Sequence, residues 1–194
     1  MKILGISGSL RAGSHNTQLL EAAGRLLPES AELVVLDPSI LSAIPAYDDD
    51  VRRTGPEPAA VTRLRAAITD ADGVLFATPE YNGSIPGFLK NALDWISMPL
   101  AESPLKGKDV AVVGASTGMF GAVWSQAELR KVVGILGARV VDRELPLTLA
   151  VDAWLEAGEL AEDDLRVALA EHVGALLGAL DVGDNAIAEL PRAA

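Results

Sequence analysis

The chain has 194 residues, of which 49% are hydrophobic, and this length and composition predict one globular domain over residues 1–194. Its 27 acidic against 16 basic residues give a formal net charge of −11, and so acidic a surface excludes nucleic acid and anionic membranes as partners. The absence of cysteine excludes disulfides, thiolate nucleophiles and cysteine-ligated metals, and two histidines argue against a histidine-rich metal site.

The amino-terminal apolar run is short, because polar residues begin at Ser7. It cannot form the core of a signal peptide, and no stretch approaches the roughly 18 apolar residues of a membrane span. We therefore expect a cytoplasmic protein that does not associate with membranes.

Strand and helix patterns alternate along the chain. Short apolar runs predict strands at 2–7, 32–36, 73–78, 109–115 and 138–141. Apolar stripes at helical spacing predict helices at 16–27, 61–71, 86–96, 129–136 and 165–180. Segment 37–56 contains three prolines and the acidic triplet 48–50, and we predict a surface loop there. Residues 181–194 are weakly patterned and predict a tail.

The predicted strands are mostly uninterrupted apolar runs, which is typical of a parallel sheet buried on both faces. Five strand–helix units with right-handed crossovers predict a doubly wound α/β domain with helices on both faces of the sheet. Ligands bind such sheets beyond the carboxyl ends of the strands. The loops after the first, third and fourth strands are therefore the candidate site.

The loop after the first strand, residues 8–17, predicts a phosphate site. Its polar side chains are those of Ser9, Arg11, Ser14, Asn16 and Thr17. The following helix directs the positive end of its dipole to the same place. A Walker loop is excluded because no lysine follows Gly13, and the dinucleotide motif G-x-G-x-x-G is absent. The open alternative is a connection rich in helix-capping residues.

The loop after the third strand combines a stiff proline, a tyrosine and an Asn-Gly turn. Its central residues are Pro79, Glu80, Tyr81, Asn82 and Gly83. Such a loop can present backbone N–H groups and a flat apolar surface to an aromatic ligand. The alternative is an ordinary turn.

The loop after the fourth strand, residues 114–121, is rich in glycine and contains Ser116 and Gly118. Its glycines permit close backbone approach to a ligand. It also matches G-x-S-x-G, the nucleophile elbow of a serine esterase, with Asp142 or Asp152 as the acid and His172 as the base. His172 lies within an apolar helix stripe, which argues against that role. We interpret the other histidine, His15, as exposed and incidental.

The three loops resemble motifs of the NAD(P)H-dependent FMN reductase family, which includes quinone, azo-dye and chromate reductases. G-S-L-R-x-G-S-x-N matches residues 8–16, and P-E-Y-N-x-S-x-P-G-x-L-K-N-A-x-D-W matches residues 79–95. The glycine-rich fourth loop matches at 116–121, and the resemblance covers residues 1–149.

The resemblance implies a flavodoxin-like three-layer sandwich whose five-stranded parallel sheet has the order 2-1-3-4-5. It assigns the FMN phosphate to Ser9, Arg11, Ser14, Asn16 and Thr17. It assigns the border of the isoalloxazine ring to Pro79, Glu80, Tyr81, Asn82 and Gly83. Ser116 and Gly118 would flank the ring and the ribityl chain. Many relatives carry a bulkier residue at the position of Gly83, which leaves the size of the substrate open.

The resemblance further implies an enzyme without a catalytic side chain, since the chemistry is carried by FMN N5. NADPH or NADH would reduce FMN, which would then reduce a small acceptor such as a quinone, flavin, azo compound or metal oxyanion, in ping-pong order. The family also implies a homodimer or homotetramer, with candidate contacts at Trp95, Ile96, Met98 and Trp124. The alternatives are an FMN-binding electron carrier without nicotinamide activity and an esterase that uses Ser116.

Overall fold

The computed structural model describes residues 1–148, 150, 153–154 and 158–188. The strands are β1 Lys2–Ser7, β2 Glu32–Val35, β3 Gly73–Ala77, β4 Asp109–Ala115, β5 Arg139–Val140 and β6 Pro146–Leu147. The helices are α1 His15–Arg25, α2 Pro38–Ser42, α3 Asp49–Thr54, α4 Ala59–Asp70, α5 Gly87–Ser97, α6 Val123–Ile135 and α7 Asp163–Ala188. A short 3-10 turn spans Leu100–Glu102.

The sheet is parallel and has the order β2-β1-β3-β4-β5, which confirms the predicted topology. The two-residue strand β6 extends it by pairing with the end of β4. Strand β6 was not predicted, because two residues that begin with a proline are too few to show a strand pattern. The central strands β1, β3 and β4 are buried, whereas the edge strand β2 alternates between exposed and half-buried residues.

Two apolar cores lie on the two faces of the sheet, as the side-chain alternation along β4 shows. Val110 and Val112 belong to the core beneath α2, α4, α5 and α6. Ala111 and Val113 belong to the core beneath α1 and α7. Successive strand residues point to opposite faces, so one strand supplies both layers. The predicted three-layer arrangement is confirmed.

Segment 37–56, which we predicted as a loop, contains the helices α2 and α3. Asp37 and Asp48 begin them as N-caps, with carboxylate oxygens that accept from Ser39 N at 2.8 Å and Asp50 N at 2.9 Å. The hydrogen bond from the backbone N–H of Ser39 lowers the pKa of the Asp37 carboxyl. Acidic residues that resemble loop composition therefore start short helices, and part of the acidic triplet is a cap.

Two residues of the 79–95 motif hold this segment in place. The Asn91 side chain accepts from Tyr47 N at 2.7 Å and donates to Pro45 O at 2.8 Å. The indole N–H of Trp95 donates to the same Pro45 carbonyl at 2.8 Å. The second half of the motif thus anchors the chain that follows β2.

Helix α7 continues to Ala188, eight residues beyond its predicted end at residue 180. Residues 181–188 contain no proline, the residue that most strongly ends a helix. The rest of the predicted tail, 189–194, lies outside the described residues. Within the described parts of the chain, no helix is long and apolar enough to cross a membrane.

Candidate functional site

The loops after β1, β3 and β4 meet around one cavity of about 280 Å³ at the carboxyl edge of the sheet. Its lining residues are Ser9, Arg11, Ser14, His15, Asn16, Pro79, Glu80, Tyr81, Ala115, Ser116 and Thr117. Eight of the twelve predicted site residues are among them, and Thr17, Asn82, Gly83 and Gly118 are not. A depression of about 810 Å³ is larger, but residues of the 57–70 segment, mostly α4, line it, away from these loops.

The first turn of α1 brings backbone N–H donors to the edge of this cavity. Ser14 is the N-cap, and its hydroxyl accepts from Thr17 N at 3.4 Å. The N–H groups of His15 and Asn16, at the first two helical positions, have no carbonyl partner within a helix. Together with the positive end of the helix dipole, such N–H groups favour the binding of an anionic group.

Hydrogen bonds to a hydroxyl group at the end of β1 support this loop. Thr17 Oγ1 donates to Ser7 Oγ at 2.9 Å, and Ser7 Oγ also accepts from Ser9 N at 3.3 Å. The Thr17 side chain therefore contacts the end of β1 rather than the cavity. Ser7 is a supporting residue that sequence reasoning missed, since it is the last residue of a predicted strand.

Asn16 is buried and connects the first loop to the fourth. Its side-chain amide donates to Ala115 O at 2.9 Å and accepts from Ala115 N at 3.0 Å. These two bonds fix the distance between the loops after β1 and β4.

The loop after β3 forms a tight bend. Tyr81 N donates to Ser84 O at 3.0 Å, and Ser84 N donates to Tyr81 O at 3.2 Å. Asn82 and Gly83 have φ of +56° and +76°, the left-handed values that an Asn-Gly turn provides at low cost. A Cβ at Gly83 would meet no atom within 4 Å among the described residues, so space beside the bend is open.

The Glu80 carboxylate is turned toward α6. Its Oε2 accepts from Trp124 N at 3.1 Å and from Ser125 N at 3.2 Å. Glu80 lines the cavity, and one oxygen of its carboxylate is engaged by the end of a helix.

Among the described residues, Ser116 of the fourth loop makes no hydrogen bond to His172 or to Asp142. Ser116 Oγ accepts from Gly118 N at 3.1 Å. His172 is buried on α7, and its Nε2 has no hydrogen-bond partner in the described part of the chain. Burial lowers the pKa of His172 to about 4. Asp142 is exposed, and Asp152 lies outside the described residues. The described positions of Ser116, His172 and Asp142 argue against the esterase interpretation.

His15 is half-buried rather than exposed and incidental, so that prediction was wrong. Its Nδ1 accepts from the indole N–H of Trp154 at 3.0 Å, and the two rings are nearly parallel with centroids 6.4 Å apart. The partner residue lies 139 positions away in the sequence, and no local pattern could indicate it.

Two of the predicted subunit contacts lie in the core. Trp95 and Ile96 are buried against the sheet, which makes them unsuitable as contacts between subunits. Met98 and Trp124 are exposed, and Trp124 packs against the exposed Phe120 at a centroid distance of 4.8 Å.

Comparison with known proteins identifies the family of the chain. Residues 1–152 match the family of NADPH-dependent FMN reductases. The chain belongs to this family. It is 42% identical to an NAD(P)H-dependent FMN reductase of Pseudomonas aeruginosa over 91% of this chain and 93% of the relative. It is 41% identical to a quinone reductase of Escherichia coli K12 over 74% of each chain.

A solved structure gives the same result. FerB, a flavoenzyme NAD(P)H:(acceptor) oxidoreductase from Paracoccus denitrificans, superposes with a TM-score of 0.82 at 31% identity, over 93% of this chain and 97% of that one. Membership in the reductase family confirms the predicted oxidoreductase, with FMN as cofactor and NAD(P)H as co-substrate. The roles of individual residues stay predictions.

Proposed function

We propose that this reductase passes electrons from NAD(P)H to an acceptor of the quinone class through FMN held by the loops after β1, β3 and β4. The observation that carries the proposal is that the three loops that match family motifs surround a single cavity at the carboxyl edge of the sheet. The E. coli relative, a quinone reductase, supports the acceptor class.

The residues present fit a mononucleotide. A phosphate dianion needs several N–H donors on a protein whose net charge is −11. The end of α1 supplies the N–H groups of His15 and Asn16, and Arg11 supplies an exposed guanidinium beside them. Gly13, with φ of +68°, allows the loop to turn tightly before the helix.

The ring portion fits between the bend after β3 and the loop after β4. Tyr81 lines the cavity and is half exposed, so it offers an apolar edge to a flat ligand. Ser116 and Thr117 approach from the opposite loop. When bound there, FMN supplies hydride and electron transfer, while these residues bind and orient the ring and exclude water from it.

The test is the absorption spectrum of the purified protein with FMN. We expect bands near roughly 370 and 450 nm that bleach on anaerobic addition of NADPH or NADH and return when a benzoquinone is added. Failure to take up FMN would remove the proposed function. Bound FMN that neither nucleotide bleaches would instead favour an electron carrier.

Three further predictions from the sequence belong to this proposal. We expect ping-pong kinetics, since nucleotide and acceptor would use the same ring face. We also keep the predicted homodimer or homotetramer and the cytoplasmic location. Parallel lines in double-reciprocal plots test the ping-pong kinetics, and sedimentation tests the oligomeric state.

A further inference from the structure

The bend at residues 81–84 is closed by its own backbone and is exposed at its tip. Tyr81 and Ser84 exchange both of their backbone hydrogen bonds, and Tyr81, Asn82 and Gly83 are exposed. The tip buries little apolar surface against the core. Its position relative to the cavity therefore depends on the residues that flank it.

On one flank, Glu80 completes the amino end of α6. The N-cap of that helix is Ala122, which has a φ of +61° and makes no side-chain capping bond. Glu80 Oε2 instead accepts from the N–H groups of Trp124 and Ser125, at 3.1 and 3.2 Å. Its negative charge lies at the positive end of the helix dipole. The bend thus supplies the cap that α6 lacks.

On the other flank, Glu128 of α6 accepts hydrogen bonds from the bend. Its Oε2 accepts from Ser84 Oγ at 2.7 Å and from Ile85 N at 3.1 Å. In the part of the chain that the structure describes, neither Glu80 nor Glu128 forms an ion pair. Each carboxylate is therefore held by N–H and O–H donors across the gap between bend and helix.

A buried hydroxyl contact joins the same two elements at the base of the bend. Ser125 Oγ of α6 donates to Pro79 O at 2.8 Å and lies 2.9 Å from Thr78 Oγ1. Thr78 and Ser125 are fully buried. Because this contact fixes the root of the bend, the two glutamates control its outer part.

We propose that Glu80 and Glu128 are positioning residues that clasp the bend to the first turns of α6 and so fix the backbone that borders the flavin ring. This rests on the proposed function, since it takes the bend to border FMN. Flavin affinity then depends on two carboxylates whose hydrogen bonds are made to protein donors.

The test compares Glu80→Ala, Glu128→Ala and the double variant. We measure the FMN dissociation constant by fluorescence quenching, and the visible circular dichroism of bound FMN, which reports the surroundings of the ring. Each single variant is expected to weaken FMN binding about tenfold, as the loss of a hydrogen bond to a charged group implies, and to alter the dichroism. The double variant should weaken FMN binding by less than the product of the two single effects, because the loss of either glutamate already releases the bend.

Glu144→Ala is the matched control, because Glu144 pairs with Arg130 of the same helix and is absent from the cavity lining. It should leave FMN affinity and dichroism unchanged. If an alanine variant does not fold, Glu80→Gln and Glu128→Gln take its place. Glu128→Gln keeps an acceptor oxygen and should retain near-normal affinity, whereas Glu80→Gln loses the charge at the helix end and should fall between wild type and alanine.

The outcomes separate the two proposals. FMN that fails to bind the wild-type protein overturns the proposed function. FMN that binds wild type and every Glu80 and Glu128 variant with equal affinity and dichroism overturns the clasp alone. A loss of FMN affinity in the double variant that equals the product of the two single losses would also overturn it, because independent contacts do not hold one shared bend.

Discussion

The two loops that border the cavity after β1 and β3 differ in where their supporting contacts come from. Residues 8–17 have a local framework, made by the cap at Ser14 and the hydroxyl contacts of Ser7 and Thr17, and His15 and Asn16 add distant contacts to it. Residues 78–85 are held by distant residues of α6. An anionic group needs several free donors at one point, which a helix end supplies locally. A flat ring needs a fixed backbone, and a neighbouring element can provide that.

The most direct way to break this comparison is to disconnect the first loop from the fourth. Asn16→Ala leaves the buried N–H and C=O of Ala115 without their partner, at a cost of about 2 kcal/mol for each group. We expect the free energy of unfolding to fall by about 4 kcal/mol in urea titration. Asn82→Gly, at the exposed tip of the bend, is the control and should change it little. A loss below about 1 kcal/mol would show that Asn16 does not connect the loops.

A pH titration sharpens the comparison by measuring the packing of α7 against the sheet that supports both loops. Burial, with smaller effects of Arg143 and Arg130, lowers the pKa of His172 from 6.5 to about 4. The unfolded chain therefore binds a proton that the folded protein does not between these pH values. The contribution of His172 to the free energy of unfolding is fully present above pH 6.5. It should fall by about 3 kcal/mol as the pH drops to 4. His172→Gln should remove this component of the slope. An equal slope in both proteins would assign the loss to other groups.

The next variant removes charge from the first loop while leaving its framework intact. Arg11→Ala should weaken FMN binding by about 2 kcal/mol, roughly thirtyfold, because a charge-assisted phosphate contact is lost. Fluorescence titration with FMN measures the change. Arg63→Ala, on the exposed face of α4, is the control for net charge. Unchanged affinity in Arg11→Ala would take this side chain out of the phosphate site.

The smallest expected effect is that of the helix cap. Ser14→Ala removes the acceptor of Thr17 N and should lower the free energy of unfolding by about 1 kcal/mol. Hydrogen exchange in the first turn of α1 should rise with it. The exposed Ser30→Ala should change neither quantity. If the two variants behave alike, the first loop does not depend on its own cap.

The strands of the parallel sheet and the three site loops could be predicted because their signals are local, whereas the strand order followed from the resemblance to the reductase family. Apolar strand runs, a proline at the start of α5 and the Asn-Gly turn each act within a few residues. The helices α2 and α3 were missed because five and six residues are too few to show an apolar period. Their capping aspartates were mistaken for loop composition.

The contacts that fix the site could not be predicted, because their partners are far apart in the sequence. Glu80 lies 44 residues from Trp124, and Asn16 lies 99 residues from Ala115. Nothing in either neighbourhood indicates the partner. Such pairs become visible only when the fold brings the carboxyl ends of β1, β3 and β4 together.

The anchoring of Pro45 and Tyr47 by Asn91 and Trp95 bears on how a motif is weighed. A long uninterrupted match invites the assumption that every letter serves the cofactor. Here two residues of the latter half instead hold the backbone of a distant segment of the chain. Mutagenesis that aims to change the electron acceptor should therefore leave Asn91 and Trp95 unaltered and concentrate on the earlier residues of the motif.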